Sequence, residues 1–156
     1  MLVRPPTADD RGAVLEALDS CGAFSAFEVE VAIGMFDDGL AGDYTLIGIE
    51  ADDALRGYAC IGHASLTERS WYLYWICVHP AFQRRGVGQA LQAAVEDLVR
   101  RNGGDKLVLE TSARAQYGRS RHFYEAAGFA VQGRIVDFYK RDEDCIVYCK
   151  ALAYLG

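Results

Sequence analysis

Gln83-Arg84-Arg85-Gly86-Val87-Gly88 lies between a run of strand-forming residues and a run with helical spacing. Trp71 to Val78, before it, is aromatic and β-branched; Val87 to Arg101, after it, sets Leu91, Val95, Leu98 and Val99 at helical intervals. A chain turning from strand into helix through glycine leaves several N–H groups unpaired, with the positive end of the helix dipole behind them. That is a site for a pyrophosphate. Gly86 and Gly88 let the backbone approach such a ligand closely, and Arg84 and Arg85 add positive charge. Two other phosphate motifs are excluded. A P-loop requires Gly-Lys-Ser/Thr, which occurs nowhere in the chain. A dinucleotide fingerprint requires Gly or Ala where Leu91 stands, and a tight turn in place of the long approach from His79 to Arg85. Taken alone, the segment also reads as a solvated loop with two arginines and a glycine-rich helix start.

A second segment, Phe123-Tyr124-Glu125-Ala126-Ala127-Gly128-Phe129, follows downstream after one predicted strand. Gln-x-x-Gly-x-Gly after Val-His-Pro resembles the acetyl-CoA loop of the GNAT (Gcn5-related) N-acetyltransferase superfamily. Phe-Tyr-x-x-x-Gly-Phe resembles the signature found downstream of that loop. Both occur in the expected order, and the resemblance covers Trp71 to Leu152. The first forty residues match in the order of elements alone. Leu73-Tyr74-Trp75-Ile76 and Asp137-Phe138-Tyr139 are further similar to stand-alone members of the superfamily.

The resemblance implies acetyl-CoA as co-substrate, no metal, and transfer to a primary amine of a small molecule or peptide. It assigns the pantetheine arm to the backbone of Ile76, Cys77 and Val78, with the Val78 N–H polarising the thioester carbonyl. The diphosphate falls to Gln83, Arg84, Arg85, Gly86, Val87, Gly88 and Gln89. Tyr124 matches the tyrosine that protonates the departing sulfur or contacts the cofactor; a phenol of pKa ~10 can serve a thiolate of similar basicity. An amphipathic-helix tyrosine packed on a sheet would look the same.

The general base is less well defined. An alkylammonium of pKa ~10 must lose a proton before it attacks. Many relatives place a carboxylate on the fourth strand, but Trp71-Tyr72-Leu73-Tyr74-Trp75 has none. Glu110 on the fifth strand is the first candidate, followed by Glu28 and Glu30 on the second helix, Asp137, and bulk water. The family pattern also has Asn seven residues before the tyrosine, where this chain has Tyr117. Tyr117 is therefore a candidate for the missing cofactor contact, for shaping the acceptor pocket, or for starting a helix. Arg119 and Arg121, near Tyr124 on the same helix, read as phosphate ligands or as solvated charges. The aromatic residues Tyr72, Tyr74, Trp75, Tyr117, Phe138 and Tyr139 suit either an acceptor pocket that holds an ammonium or an ordinary core. A non-catalytic module that binds CoA or acyl-CoA is the alternative of another class; a purely structural domain is the third.

At 156 residues the chain is long enough for one domain with a proper core, expected to span 1–156. A net charge of −6 argues against a general nucleic-acid binder. No apolar run approaches the ~18–20 residues of a membrane span, and no secretory leader pattern opens the chain. Cys21, Cys60, Cys77, Cys145 and Cys149 form no Cys-x-x-Cys pair, and His63, His79 and His122 show no ligand spacing. Reduced thiols and a cytoplasmic location are the expectation. Cys77 beside the cofactor strand reads as a core thiol ahead of a functional one.

The elements that must position these residues read as β-α-α-β-β-β-α-β-α-β-β. A strand at Val3-Arg4 is followed by a helix that Thr7 and Asp10 open as a capping box and Val14, Leu15 and Leu18 stripe. A second helix runs from Ser25 to Leu40, interrupted at Gly34. Strands follow at Tyr44–Ala51, Leu55–Leu66 and Trp71–Val78, then the helix after Gly86, a strand at Lys106–Thr111, and a helix from Tyr117 to Ala127 capped by Gly128. Phe129–Tyr139 and Cys145–Leu152 are the last strands, around a polar turn Lys140–Asp144. Pattern alone gives an α+β domain. The resemblance adds a mostly antiparallel mixed sheet of about seven strands, splayed between the fourth and fifth, with about four helices. It also implies a homodimer through the last strands, where Cys145-Ile146-Val147-Tyr148-Cys149 is apolar enough to pair across a two-fold and reads equally as an interior strand.

Overall fold

A computed structural model describes residues 1–153. Its strands are β1 (Leu2–Arg4), β2 (Thr45–Ala51), β3 (Ala54–His63), β4 (Ser70–Val78), β5 (Lys106–Ser112), β6 (Ala130–Lys140) and β7 (Glu143–Ala151). Its helices are α1 (Arg11–Ser20), α2 (Ala26–Leu40), α3 (Val87–Arg101) and α4 (Gly118–Ala126), with 3-10 turns at Ala8–Asp10, Pro80–Phe82 and Ala115–Tyr117. The strands form a mixed sheet in the order β1-β2-β3-β4-β5-β7-β6, and β4 with β5 is its parallel pair. The expected element order and mixed α/β class are therefore found. The chain divides into two compact units, Met1–Gly62 with Leu73–Leu98, and His63–Tyr72 with the chain from Val99 onward.

In the first unit β2 and β3 form a hairpin closed by Asp52 and Asp53, both left-handed at φ 50° and 59°. Aspartate tolerates that conformation, and the positive φ values match the twist of the strands they join. Two caps start the helices. The Thr7 N–H donates to the Asp10 carboxylate at 2.7 Å, and Asp10 also receives both terminal nitrogens of Arg4. Ser25 and Glu28 exchange reciprocal bonds of 3.2 Å, a capping box that opens α2. α2 then runs unbroken through Gly34, contrary to the expected interruption. A mid-helix glycine weakens a helix by only ~1 kcal/mol, and the packing of Val29, Ala32 and Phe36 offsets it. Phe36 meets Tyr58 of β3 edge to face, with ring centroids 5.8 Å apart, in a core that also holds Val14, Leu18 and Cys77.

In the second unit the parallel ladder of β4 and β5 covers three pairs, from Ser70↔Lys106 to Tyr72↔Val108. β5 pairs with β7 over its full length, Lys106↔Ala151 to Ser112↔Cys145. β6 is the outer strand and pairs with β7 with register breaks after Val131 and Ile135. Three boundaries differ from expectation. β3 ends at His63, because Ala64 begins a turn in which the Thr67 hydroxyl donates to the Ala64 carbonyl. Lys140, Glu143 and Asp144 belong to strands, so the last turn is only Arg141–Asp142, with Asp142 left-handed at φ 64°. Tyr117 lies in a 3-10 turn ahead of α4.

The Arg4 hydrogen bond holds the Asp10 carboxyl below its ordinary value of 3.8. A depressed folded-state value means that this stabilisation is complete above about pH 4 and is lost as the pH falls through the lowered value. Urea titrations of the protein and of Asp10→Asn should therefore give a stability difference that is constant from pH 5 to 7 and shrinks below pH ~4.

Candidate active site

In the first unit, β4 alternates between two environments. Trp75 and Cys77 face the α1–α2 core, where the Trp75 indole N–H donates to the Met35 sulfur at 3.1 Å and its ring meets Phe24 at 5.2 Å. Ile76 and Val78 are half-buried and alternate with these core-facing side chains. After Val78 the chain is held down by hydrogen bonds. The His79 N–H donates to the Arg56 carbonyl at 2.8 Å, and the His79 Nδ1 accepts from the Ala81 N–H, opening the 3-10 turn. The Gln83 side-chain amide donates to the Val78 carbonyl at 3.2 Å. The glutamine of the loop thus spans the turn and ties the loop to the end of the strand.

The loop itself contains two left-handed residues, Arg84 at φ 59° and Gly86 at φ 82°. The Gly86 carbonyl accepts the first helical bond, from the Ala90 N–H at 3.0 Å, so Gly86 is the cap of α3. The N–H groups of Val87, Gly88 and Gln89 are then the first-turn donors that helix geometry leaves without intrahelical acceptors. Gln83, Arg84, Arg85 and Gln89 are exposed around them. Phe82 organises the positive charge: the Arg56 guanidinium lies 4.5 Å from its ring centroid and that of Arg85 lies 5.1 Å away. Packing sets the position of this helix start. A Cβ at Gly57 of β3 would come within 3.2 Å of Val87 and 3.5 Å of Leu91, so the first turn of α3 rests almost on the backbone of β3. These donors and cations fit a diphosphate. Phe82 and Arg56 were not recognised in the sequence; an aromatic residue just before the paired arginines was the available signal for the first, and nothing local marked the second.

In the second unit, Glu110 is exposed on β5 opposite Val147 of β7. Its charge reaches Tyr139 and Cys145, whose hydroxyl and sulfur are 3.8 Å apart. Burial, with the surrounding Cys145, Glu110 and Glu143, pushes the Tyr139 phenol well up, so it stays protonated. Tyr139 was noted in the sequence only as part of a resemblance and an aromatic group; its place beside Glu110 comes from the β6–β7 pairing.

Tyr124 stands two residues before the end of α4, where the Phe-Tyr-x-x-x-Gly-Phe pattern has a physical reading. Gly128 is left-handed at φ 97°, its N–H donates to the Glu125 carbonyl at 3.1 Å, and the Phe129 N–H donates to the Tyr124 carbonyl at 3.0 Å. This is a Schellman motif, and the apolar contact that accompanies it is Tyr124 with Phe129, centroids 5.9 Å apart. The Tyr148 ring adds a third side at 6.1 Å, and Lys150 donates to the Ala127 carbonyl at 2.6 Å. Tyr124 is thereby fixed in orientation while remaining half-buried. Arg121 is neither a free charge nor a ready phosphate ligand. Its Nη1 donates to the carbonyls of Ser112 and Arg114, at 2.7 and 2.8 Å, and binds α4 to the end of β5. Tyr117 is 6% exposed, which leaves little of it for a ligand to touch. Among the described residues no group of three His, Cys, Asp or Glu is placed to hold a metal.

The acetyltransferase (GNAT) family model matches residues 13–129, which include the loop, the capped start of α3 and the Schellman end of α4. The chain belongs to the GNAT acetyltransferase family. Its structure is similar to that of a provisionally assigned GNAT-family acetyltransferase of Desulfovibrio desulfuricans, 36% identical, with a TM-score of 0.91 over 97% of this chain and 99% of that one. The fold is shared with the ribosomal-protein-S18-alanine N-acetyltransferase of Escherichia coli, 20% identical, TM-score 0.78, covering 99% and 96% of the two chains. It is also shared with the Salmonella typhimurium protein yncA, seen with its cofactor acetyl-CoA, 19% identical, TM-score 0.73, covering 97% and 94%. No curated protein matches the chain.

Gly86→Ala should cost roughly 1–2 kcal/mol in chemical denaturation, the cost of placing a Cβ in the left-handed conformation. Open space around that position makes backbone strain the main term, because the nearest atom is the flexible end of Met1 at 3.9 Å. An unchanged midpoint would show that the turn is not held as described.

Proposed function

We propose that residues 1–156 act as one acetyltransferase domain that moves an acetyl group from acetyl-CoA directly to a primary amine of a small molecule or peptide. The observation that carries this is the Gly86-capped start of α3, with exposed first-turn donors and two arginines, in a chain of the GNAT family. The backbone N–H groups of Val87, Gly88 and Gln89 bind the diphosphate, Gln83 holds the loop in place, and Arg84 and Arg85 offset the negative charge. Ile76, Cys77 and Val78 pair through their backbone with the pantetheine arm. Acetyl-CoA supplies an activated thioester. The Val78 N–H donates to its carbonyl oxygen as negative charge develops, which is where a preorganised donor lowers the barrier most.

Tyr124 gives its proton to the departing sulfur, and its ring is held in place by Phe129 and Tyr148. Glu110 is the proposed base that takes the proton of the amine, since it is an exposed carboxylate on a strand and the Trp71–Trp75 run of β4 offers none. Tyr117, at the position of the family's asparagine, is a further proposed cofactor contact, through the small part of its side chain that is exposed. A mildly acidic chain suits a cationic acceptor. No described helix is long and apolar enough to cross a membrane. A cytoplasmic location is proposed because all five cysteines are free thiols. A second copy of the chain is the proposed partner, through the outer strand β6 with its exposed Val131, Val136 and Phe138.

Thiol release from acetyl-CoA with a panel of primary amines at pH 8–9 tests the reading. Tyr124→Phe should lower kcat about a hundredfold or more while the Kd for acetyl-CoA, read by calorimetry, moves less than about twofold. Glu110→Gln should lower kcat about tenfold or more while the Kd for acetyl-CoA moves less than about twofold. The missing β4 carboxylate favours one competitor, a module that binds CoA without catalysis. Tight uptake of acetyl-CoA with no amine acetylated would establish that competitor, and no uptake at all would refute both.

A further inference from the structure

Acetyl transfer as proposed makes no use of Arg56, a half-buried residue of β3 that is held in one orientation. Its Nε donates to the Ala51 carbonyl, across the β2–β3 turn, at 3.2 Å. Its own carbonyl accepts the His79 N–H at 2.8 Å, which ties β3 to the start of the loop. Its guanidinium lies 4.5 Å from the centroid of the Phe82 ring, and that of Arg85 lies 5.1 Å from the same centroid. One ring thus gathers a cation from β3 and a cation from the loop, and it does so without using their hydrogen-bond donors.

Two guanidinium groups on one ring lie within about 10 Å of each other and repel. Among the described residues neither Arg56 nor Arg85 has a carboxylate in ion-pair reach, although Arg4, Arg11, Arg69, Arg114 and Arg134 each have one. Shortage is not the reason, because the chain has 22 acidic residues to 16 lysines and arginines. The Glu16 carboxylate faces His79 at 3.4 Å, and the His79 ring is 6.1 Å from that of Phe82. Beyond the Nε bond to Ala51, the terminal nitrogens of Arg56 have no acceptor among the described residues. A pair of cations arranged in this way is suited to an anion from outside.

We propose that Arg56, with Arg85 across the Phe82 ring, binds a phosphomonoester, the 3′-phosphate on the ribose of acetyl-CoA. This rests on the acetyl-CoA site proposed above. The carrier's diphosphate falls to the N–H groups of Val87, Gly88 and Gln89, with Arg84 beside them. The remaining phosphate is a monoester of charge about −1.5 to −2 at pH 7, with three acceptor oxygens. A guanidinium offers such oxygens a planar fork, and its terminal nitrogens are the ones that Arg56 leaves open. The placement agrees with this division. Gly57, the residue after Arg56, is where Val87 and Leu91 rest on β3, so Arg56 lies one position from the seat of that helix turn. Side chains alternate along a strand, and Arg56 therefore leaves β3 on the face opposite α3. A group bound there sits beside the helix start and not over its donors. The 3′-phosphate and the 5′-diphosphate of one ribose stand in that relation.

Calorimetry on the full chain, with acetyl-CoA and with its 3′-dephospho form, tests the assignment. The unsubstituted protein should bind the dephospho form about tenfold or more weaker. Arg56→Gln should weaken acetyl-CoA about tenfold and the dephospho form less than about twofold, so that most of the preference disappears. Arg56→Lys keeps a charge but loses the fork, and its preference should fall between the two. Equal affinity of the unsubstituted protein for both ligands overturns the assignment whether or not any variant folds. An equal loss on both ligands in Arg56→Gln overturns it too, and either result leaves the acetyl-CoA site standing. Should the unsubstituted protein take up neither ligand, the acetyl-transfer reading itself falls and this assignment falls with it.

Discussion

The seating of the first turn of α3 on the backbone of β3 is the constraint on which the candidate cofactor site depends. A helix start can present its N–H groups to a ligand only if something holds it still and points it outward. Here Gly57 removes the side chain that would keep Val87 and Leu91 at a distance, and Gly86 turns the chain in the one conformation that a Cβ would strain. Gln83 then fixes the approach to that turn by reaching back to the Val78 carbonyl. Backbone donors are useful here because they need not reorganise when a charged ligand arrives.

The second motif works differently. Its glycine and its phenylalanine complete a Schellman motif, and its tyrosine supplies the apolar partner that the motif requires. A single device therefore ends a helix and orients a phenol. The structural reading of Tyr124 and the proposed chemical one do not compete: a proton donor would have to be held in a fixed position, and the packing of Phe129 and Tyr148 holds this ring. Arg121 contributes at a distance, by tying α4 to the last carbonyls of β5.

Much of the fold was legible in the sequence wherever the determining contacts are local. The capping aspartate after Thr7, the glycine before Val87 and Gly128 after α4 all act within a few residues, so their types and spacing suffice. Gly34 shows where propensity fails: tertiary packing of α2 outweighs the weakness of one glycine. The end of β3 and the length of the last turn were misplaced for a related reason. Strand ends are set by which partner carbonyls remain in register, and a linear pattern does not record that.

The sequence by itself determined the kind of ligand chemistry available: a glycine-turned helix start with two arginines, and a tyrosine ahead of a helix-ending glycine. These depend on φ angles and hydrogen bonds spanning a turn. Only the tertiary structure decided which side chains are engaged elsewhere and which meet across the core. Arg121 is committed to carbonyls of another element, Arg56 and Arg85 share one aromatic ring, and Tyr139 lies within the field of Glu110. Each of these contacts joins residues on different elements or turns, and such proximity is a property of packing that no local spacing encodes.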